Sequence, residues 1–300
     1  MDDLTRRTFL HTGAAAVGVA ATGALARPPR ARAAGGAAED APKPRMHLGL
    51  VTYMVGAKMK LPTLIATCEQ SGMEGVELRS THAHGVEPHI SKARRREVVA
   101  MFADSPVRLY ALGSACEYHS PDPKVVAKNI DETKRFVDLA ADLGCWGVKI
   151  RPNGLPKNVP EEKTLAQIAE AIRTCAEYAG PRKITLFVEC HGRGTSRPDR
   201  MAAIIREADH PWACLCWNSN GVDVEEGSIA RYFKLCEPYI QHVHIHTLTE
   251  KGYPWEELFR LLKAADFRRF TMIETHTKGE DPVAFLKAQR QEWQRLVGFG

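Results

Sequence analysis

The stretch NIDETKRFVDLAADLGCWGVKIR, residues 129–151, changes its hydrophobic period part-way along. Up to Leu143 its apolar side chains recur at helical spacing, and Gly144 stands where a glycine is expected just past a helix. WGVKIR, residues 146–151, follows as a short apolar run of strand length. Helix, glycine, strand is one unit, and the chain repeats it.

Such runs predict strands at HLGLVTY (47–53), GVELR (75–79), VRLYAL (107–112), WGVKIR (146–151), ITLFVE (184–189), ACLCWN (213–218), IQHVHIH (240–246) and FTMIE (270–274). Helix-period segments lie between them. LPTLIATCEQSG (61–72) ends on Ser71-Gly72, and NVPEEKTLAQIAEAIRTCAEYAG (158–180) carries its acids in the first turn. The last helix opens with Asp281 as cap and Pro282 in its first turn. Strand and helix alternating eight times imply a parallel sheet with crossover helices. Over about 250 residues this favours closure into one α/β domain, a (β/α)8 TIM barrel spanning 46–300. An open doubly wound sheet would want a glycine-rich phosphate loop after the first strand; TYMVGAKMK (52–60) has no GxGxxG.

The first residues have a different character. TRRTFLHTGAAAVGVAATGALA (5–26) sets paired arginines before a weakly apolar run, with small-x-small sites at 24–26 and 31–33. This matches the twin-arginine export pattern, and the run is short and glycine-broken for a membrane span. Residues 1–33 (or 1–26) are thus expected to be a removable signal and 34–45 a flexible leader. The expectation is a periplasmic or secreted protein that engages the twin-arginine export machinery and has no stable membrane anchor. The formal net charge is +5, but five of the 41 Lys+Arg and two of the 36 Asp+Glu lie before Ala33, so about +2 remains beyond it. That is no nucleic-acid footprint, and KARRRE (92–97) reads as the solvated face of a helix. None of the eight cysteines has CxxC spacing, and most read as buried small hydrophobes, with a disulfide left open.

In a barrel of this kind the chemistry sits at the C-terminal strand ends. Strand five ends in Glu189, strand six in Asn218, strand seven carries His244 with His246 beyond, and strand eight ends in Glu274. Two carboxylates, an amide oxygen and an imidazole from four successive strands suit a hard or borderline divalent ion such as Mn2+, Zn2+ or Mg2+. His82, His84, Lys149, His191 and His246 are polar candidates for substrate contact. Glu117, His119, Arg151 and Arg193 lie on nearby predicted loops or strand ends. Trp217 reads either as core or as a flat platform for a substrate ring.

From GLVTYM (49–54) to FTMIETH (270–276), the chain resembles the sugar phosphate isomerase/epimerase family. These are xylose isomerase-like barrels that include ketose 3-epimerases and endonuclease IV. The family closes strand five with Glu, strand six with Asp and strand eight with Glu, and carries a His on strand seven. Matching positions are Glu189 in FVECH, Asn218 in LCWNSN, His244 in IQHVHIHTL and Glu274 in TMIETH. GMEGVELRSTHAHGVE (72–87) also resembles the family's second strand, where Glu77 is a frequent polar member. One departure matters. Asn218 replaces the usual aspartate, so the carboxylates supply about −2 rather than −3.

The resemblance implies a metal that ligates a carbonyl oxygen and its neighbouring hydroxyl, acidifying the adjacent C–H. Glu189 and Glu274 would then act from opposite faces, one removing the proton and the other returning it or protonating a leaving group. Epimerisation, isomerisation and elimination from oxidised sugars or glycosides all use the same residues. The expected partner is a small carbohydrate, with no nucleic acid; oligomeric state is open. A nuclease would need more ligands and a basic face. A non-catalytic periplasmic sugar-binding barrel is the rival, and Asn218 is its best support.

Overall fold

The computed structural model describes residues 46–298. The eight strands are β1 (His47–Val51), β2 (Gly75–Arg79), β3 (Arg108–Glu117), β4 (Gly147–Arg151), β5 (Thr185–Glu189), β6 (Ala213–Asn218), β7 (Ile240–Ile245) and β8 (Phe270–Ile273). They pair in parallel in chain order, and β8 closes on β1. Between and after them run helices α1 (Leu61–Ser71), α2 (Lys92–Ala103), α3 (Pro123–Leu143), α4 (Glu161–Ala179), α5 (Pro198–Ala208), α6 (Ala230–Cys236), α7 (Trp255–Ala264) and α8 (Pro282–Val297). This is a single (β/α)8 barrel. The expected signal and leader, 1–45, lie outside the described residues. No helix among the described residues is long and apolar enough to cross a membrane.

Local chemistry sets the element ends. Ser91, Asp122 and Asp281 cap α2, α3 and α8, each accepting from a backbone N–H of the first turn. Gly144 adopts a left-handed φ of 72° and turns the chain from α3 into β4, as the opening stretch of sequence implies. Most strand ends lie within one or two residues of the reading of the sequence, and two boundaries differ by more. Helix α3 begins at Pro123, because Asp122 caps it about two turns before the periodic segment that starts at Asn129. Strand β3 runs on to Glu117 across a register shift against β4, so Glu117 belongs to the strand and not to the following loop.

Strand alternation divides the interior. Leu186, Val188, Leu215 and Trp217 point outward into the helix-packed core, which takes in most buried apolar residues. Phe187, Cys216, Tyr110, Phe270 and Met272 point into the barrel and form a second, smaller cluster. Within it the Tyr110 and Phe270 rings lie 4.5 Å apart, and Phe187 stacks on His242 at 4.6 Å. These rings are the floor on which the mouth of the barrel rests. All eight cysteines are buried and none is in a disulfide, as expected for small hydrophobes in this interior.

The floor closes only because β4 opens with glycine. A Cβ at Gly147 would run into the Phe187 ring and the Thr185 carbonyl oxygen, which are backbone and packed ring with little freedom to yield. Gly147→Ala is therefore expected to cost roughly 1–3 kcal/mol by overpacking. Thermal unfolding should register this as a drop of several degrees; an unchanged midpoint would show that the floor is looser than described.

Candidate active site

Four strand ends converge on one polar cavity. Glu189, at the end of β5, is buried and accepts from Lys149 Nζ on β4 at 2.8 Å. Its other oxygen accepts from Asn218 Nδ2, at the end of β6, at 3.1 Å. Glu274 follows β8 and continues its ladder, its N–H donating to the Ile245 carbonyl. His244 Nδ1, on β7, lies 3.2 Å from Glu274 Oε2 and 3.8 Å from Glu189 Oε1.

His244 is held from behind. Its Nε2 lies 3.1 Å from Glu77 Oε2, and His242 Nε2 lies 2.8 Å from the same oxygen. Glu77 stands on β2, across the barrel from β7, and all three side chains are fully buried. Burial alone would raise the Glu77 carboxyl, but the two imidazoles outweigh it and hold the acid well below the usual carboxylate range. With Nε2 donating to Glu77, the Nδ1 edge of His244 faces the mouth. Burial works against a proton on His244, yet Cys216, Glu77 and Glu274 outweigh it and raise the group well above the ordinary imidazole value. Lys149 stays charged in the same way, burial being overcome first by Glu189 and then by Glu77 and Glu274.

The cavity measures 280 Å3 and is lined by Tyr53, Arg79, Lys149, Arg151, Glu189, His191, Asn218, Asn220, His246 and Glu274. Of the residues singled out in the sequence, it gathers Glu189, Glu274, Asn218, Lys149, His191 and His246, with His244 just beneath. His191 Nδ1 pairs with Asn153 Oδ1 at 2.6 Å, which leaves its Nε2 for the cavity. Burial lowers both His191 and His246, so both are neutral imidazoles. Arg151 is tied back to Glu117.

Three candidates sit elsewhere. His84 spends both ring nitrogens on backbone, with Nε2 2.8 Å from the Arg79 carbonyl oxygen and Nδ1 accepting from Val86 N–H. It shapes the loop after β2 and does not line the cavity. Trp217 is wholly buried among the helices, its Nε1 donating to Tyr253 Oη at 3.1 Å. The stacking role does not go with that position: strand alternation turns Trp217 outward because Asn218 turns inward. His82 lies at the rim, bonded to Thr52 and stacked near Tyr53, and burial with Arg79 and His84 pushes it down to about 4. Arg79, Asn220 and His242 were not singled out. Alternation could have found His242, two residues before His244 on the same strand face.

A model of the xylose isomerase-like TIM barrel matches residues 65–296. The chain belongs to that family. No curated protein sequence matches it. Among solved structures of the same fold, D-psicose 3-epimerase in the presence of D-fructose is 16% identical, with a TM-score of 0.72 over 84% of this chain and 100% of that one. The E. coli 3-keto-D-glucoside 4-epimerase is 14% identical, with a TM-score of 0.70 over 85% of this chain and 100% of that one. The IolI protein with a binding zinc atom is 13% identical, with a TM-score of 0.72 over 85% of this chain and 99% of that one. At such identities the likeness is one of fold.

Within this family's barrel the donor set fits a divalent ion. One ligand atom each from Glu189, His244 and Glu274 lies within 4.8 Å of the others, the spread of donors around a single ion. Asn218 Oδ1 and His244 Nδ1 are buried and lack a hydrogen-bond partner. Cys216, His242 and His244 also converge within 4.8 Å, but Glu77 already engages both imidazoles and the group is sealed inside the barrel. An aspartate at 218 would add a charge to the donor set, directly beside Glu189. Asn218→Asp is therefore expected to tighten Mn2+ binding at least about tenfold, since a charged oxygen replaces a neutral one. The same variant without metal should melt below the parent, because two carboxylates then face each other at close range. Calorimetric titration and thermal unfolding read the two effects; unchanged affinity would place the ion elsewhere.

Proposed function

We propose that this chain is a metal-dependent sugar isomerase or epimerase that moves a proton on the carbon beside a sugar carbonyl. The observation that carries the reading is the approach of two carboxylates, Glu189 and Glu274, to one small polar cavity from separate strands. The epimerase activities of D-psicose 3-epimerase and 3-keto-D-glucoside 4-epimerase, which share the fold, support it. A divalent ion held by Glu189, Asn218, His244 and Glu274 would supply Lewis-acid polarisation of the substrate oxygen when bound.

The chain's own groups divide the remaining work. Glu274 is the more open carboxylate, its side chain 13% exposed, and has no Lys or Arg at ion-pair distance among the described residues. It is placed to take the proton. Glu189 is held well below the usual carboxylate range: burial opposes this, but Lys149, then His244, prevail. A carboxylate so held is a weak base and a good ligand; the proton passed to the opposite face would come from the neighbouring Lys149 ammonium, which is reprotonated once Glu274 gives up the proton it took. Lys149 Nζ, 2.8 Å from Glu189, can also follow charge building on the substrate with a hydrogen bond to a developing oxyanion. Neutral His191 and His246 offer acceptor or donor positions to hydroxyls.

One observation favours a rival. Lys149 already supplies a buried cation beside Glu189, and Asn218 turns its amide N–H toward the same carboxylate. A metal-free sugar-binding barrel would use these contacts alone. Solvent-deuterium exchange into keto-sugars separates the two. Glu274→Gln is expected to abolish exchange with the fold intact, because the amide matches the carboxylate in shape and cannot accept the proton. Glu189→Gln should abolish exchange and also lower the melting temperature, because it strips the buried Lys149 of its counter-charge. Normal exchange in both variants would leave the sugar-binding barrel as the better reading.

Export remains part of the proposal and rests on Arg6 and Arg7 ahead of the weakly apolar run. Replacing both with lysine is expected to hold the precursor in the cytoplasm, as followed by fractionation. Undiminished export would remove it.

A further inference from the structure

A second cavity opens beside the first. It measures 520 Å3 and is walled by the loops that follow β6, β7 and β8, with Ser219, Gly221, Thr247, Tyr253, Trp255 and His276 in its lining. Tyr53, His246 and Glu274 line both cavities. Glu274, the residue placed to move the proton, thus stands at the junction. Glu250 and Lys278, both on the outer wall, lie 2.6 Å apart and bridge the loops after β7 and β8.

Size separates the two spaces. Sites for small ligands usually span about 300–1,000 Å3. The inner cavity, at 280 Å3, lies just under that range and suits a single sugar ring. A substrate that ended there would leave the outer cavity to water. The outer lining mixes rings (Tyr53, Tyr253 and Trp255) with hydroxyl and imidazole groups, and its carboxylates Glu250 and Glu274 are matched in number by Lys251 and Lys278, with Glu250 and Lys278 2.6 Å apart. Rings give an apolar surface to the C–H face of a sugar, and the polar groups meet its hydroxyls. The occupant that fits is a neutral, hydroxylated ring, not a phosphate.

We infer that the substrate is a glycoside spanning both cavities, with the keto ring inside, a second sugar in the outer cavity and the linkage passing Glu274. This rests on the isomerase/epimerase reading above and names its substrate class. Gly221 offers a way to close the outer cavity alone. A Cβ there meets nothing within 4 Å, and the residue is absent from the inner lining.

The test uses the metal-loaded protein and two probes: a methyl hexoside with a free ketone at a ring carbon other than the anomeric one, and the disaccharide that carries the same keto ring. Affinity is read by calorimetry and turnover by deuterium exchange. The disaccharide is expected to bind at least tenfold tighter, with the preference lost in Gly221→Phe and the methyl glycoside unaffected by that change. Equal affinities in the parent, or a Gly221→Phe that weakens both probes alike, would overturn the inference while exchange on the methyl glycoside left the enzyme reading standing. Tight, Gly221-sensitive binding of the disaccharide without exchange would keep the outer site and overturn the enzyme. Binding of neither probe would overturn both.

Discussion

Glu77 sits wholly inside the barrel and meets two imidazoles from the opposite wall. A carboxylate taken out of water is costly unless it is paired and hydrogen-bonded. Here β2 supplies the acid and β7 supplies both partners, so the pairing spans the lumen and is made only once the barrel has closed. The Tyr110, Phe187 and Phe270 rings beneath exclude water from it. What reaches the mouth follows from that clamp. His244 has one nitrogen committed behind it, and its other edge points toward Glu189 and Glu274.

Charge at the mouth is balanced in the same spirit. Glu189 is shared between a lysine and an amide, which fixes its position and leaves little basicity. Glu274 is freer and more open. Two carboxylates of one chemical type thus sit in unlike surroundings set by their neighbours, and the proposed division into a ligand and a base rests on that difference. Asn218 belongs to this balance. Its amide can donate to Glu189, which an aspartate could not do.

Much of this was legible in the sequence, and the reasons are local. Period changes such as the one at Gly144 mark each strand and helix, and strand order follows from repetition. The four strand ends could be read because a parallel barrel delivers every C-terminal end to one face. What stayed hidden depends on side-chain direction and distance. Trp217 adjoins a site residue yet faces the helices, and His84 sits in a polar run yet is spent on backbone. The register shift that carries β3 on to Glu117 has no sequence mark, so the Arg151 partner could not be assigned beforehand. Glu77 was visible as a polar strand residue, but its bond to two histidines some 165 residues away belongs to tertiary closure.

The central claim is that the clamp presents His244 Nδ1, with three oxygen donors, to one divalent ion. X-ray absorption at the manganese edge of the Mn2+-loaded protein reads those donors directly. The expected result is one ion per chain, ligated by a single imidazole nitrogen with oxygen otherwise, and loss of the imidazole signal in His244→Ala. A sulfur ligand would move the ion down to Cys216 and contradict the claim, as would a saturated solution that leaves the protein without stoichiometric manganese.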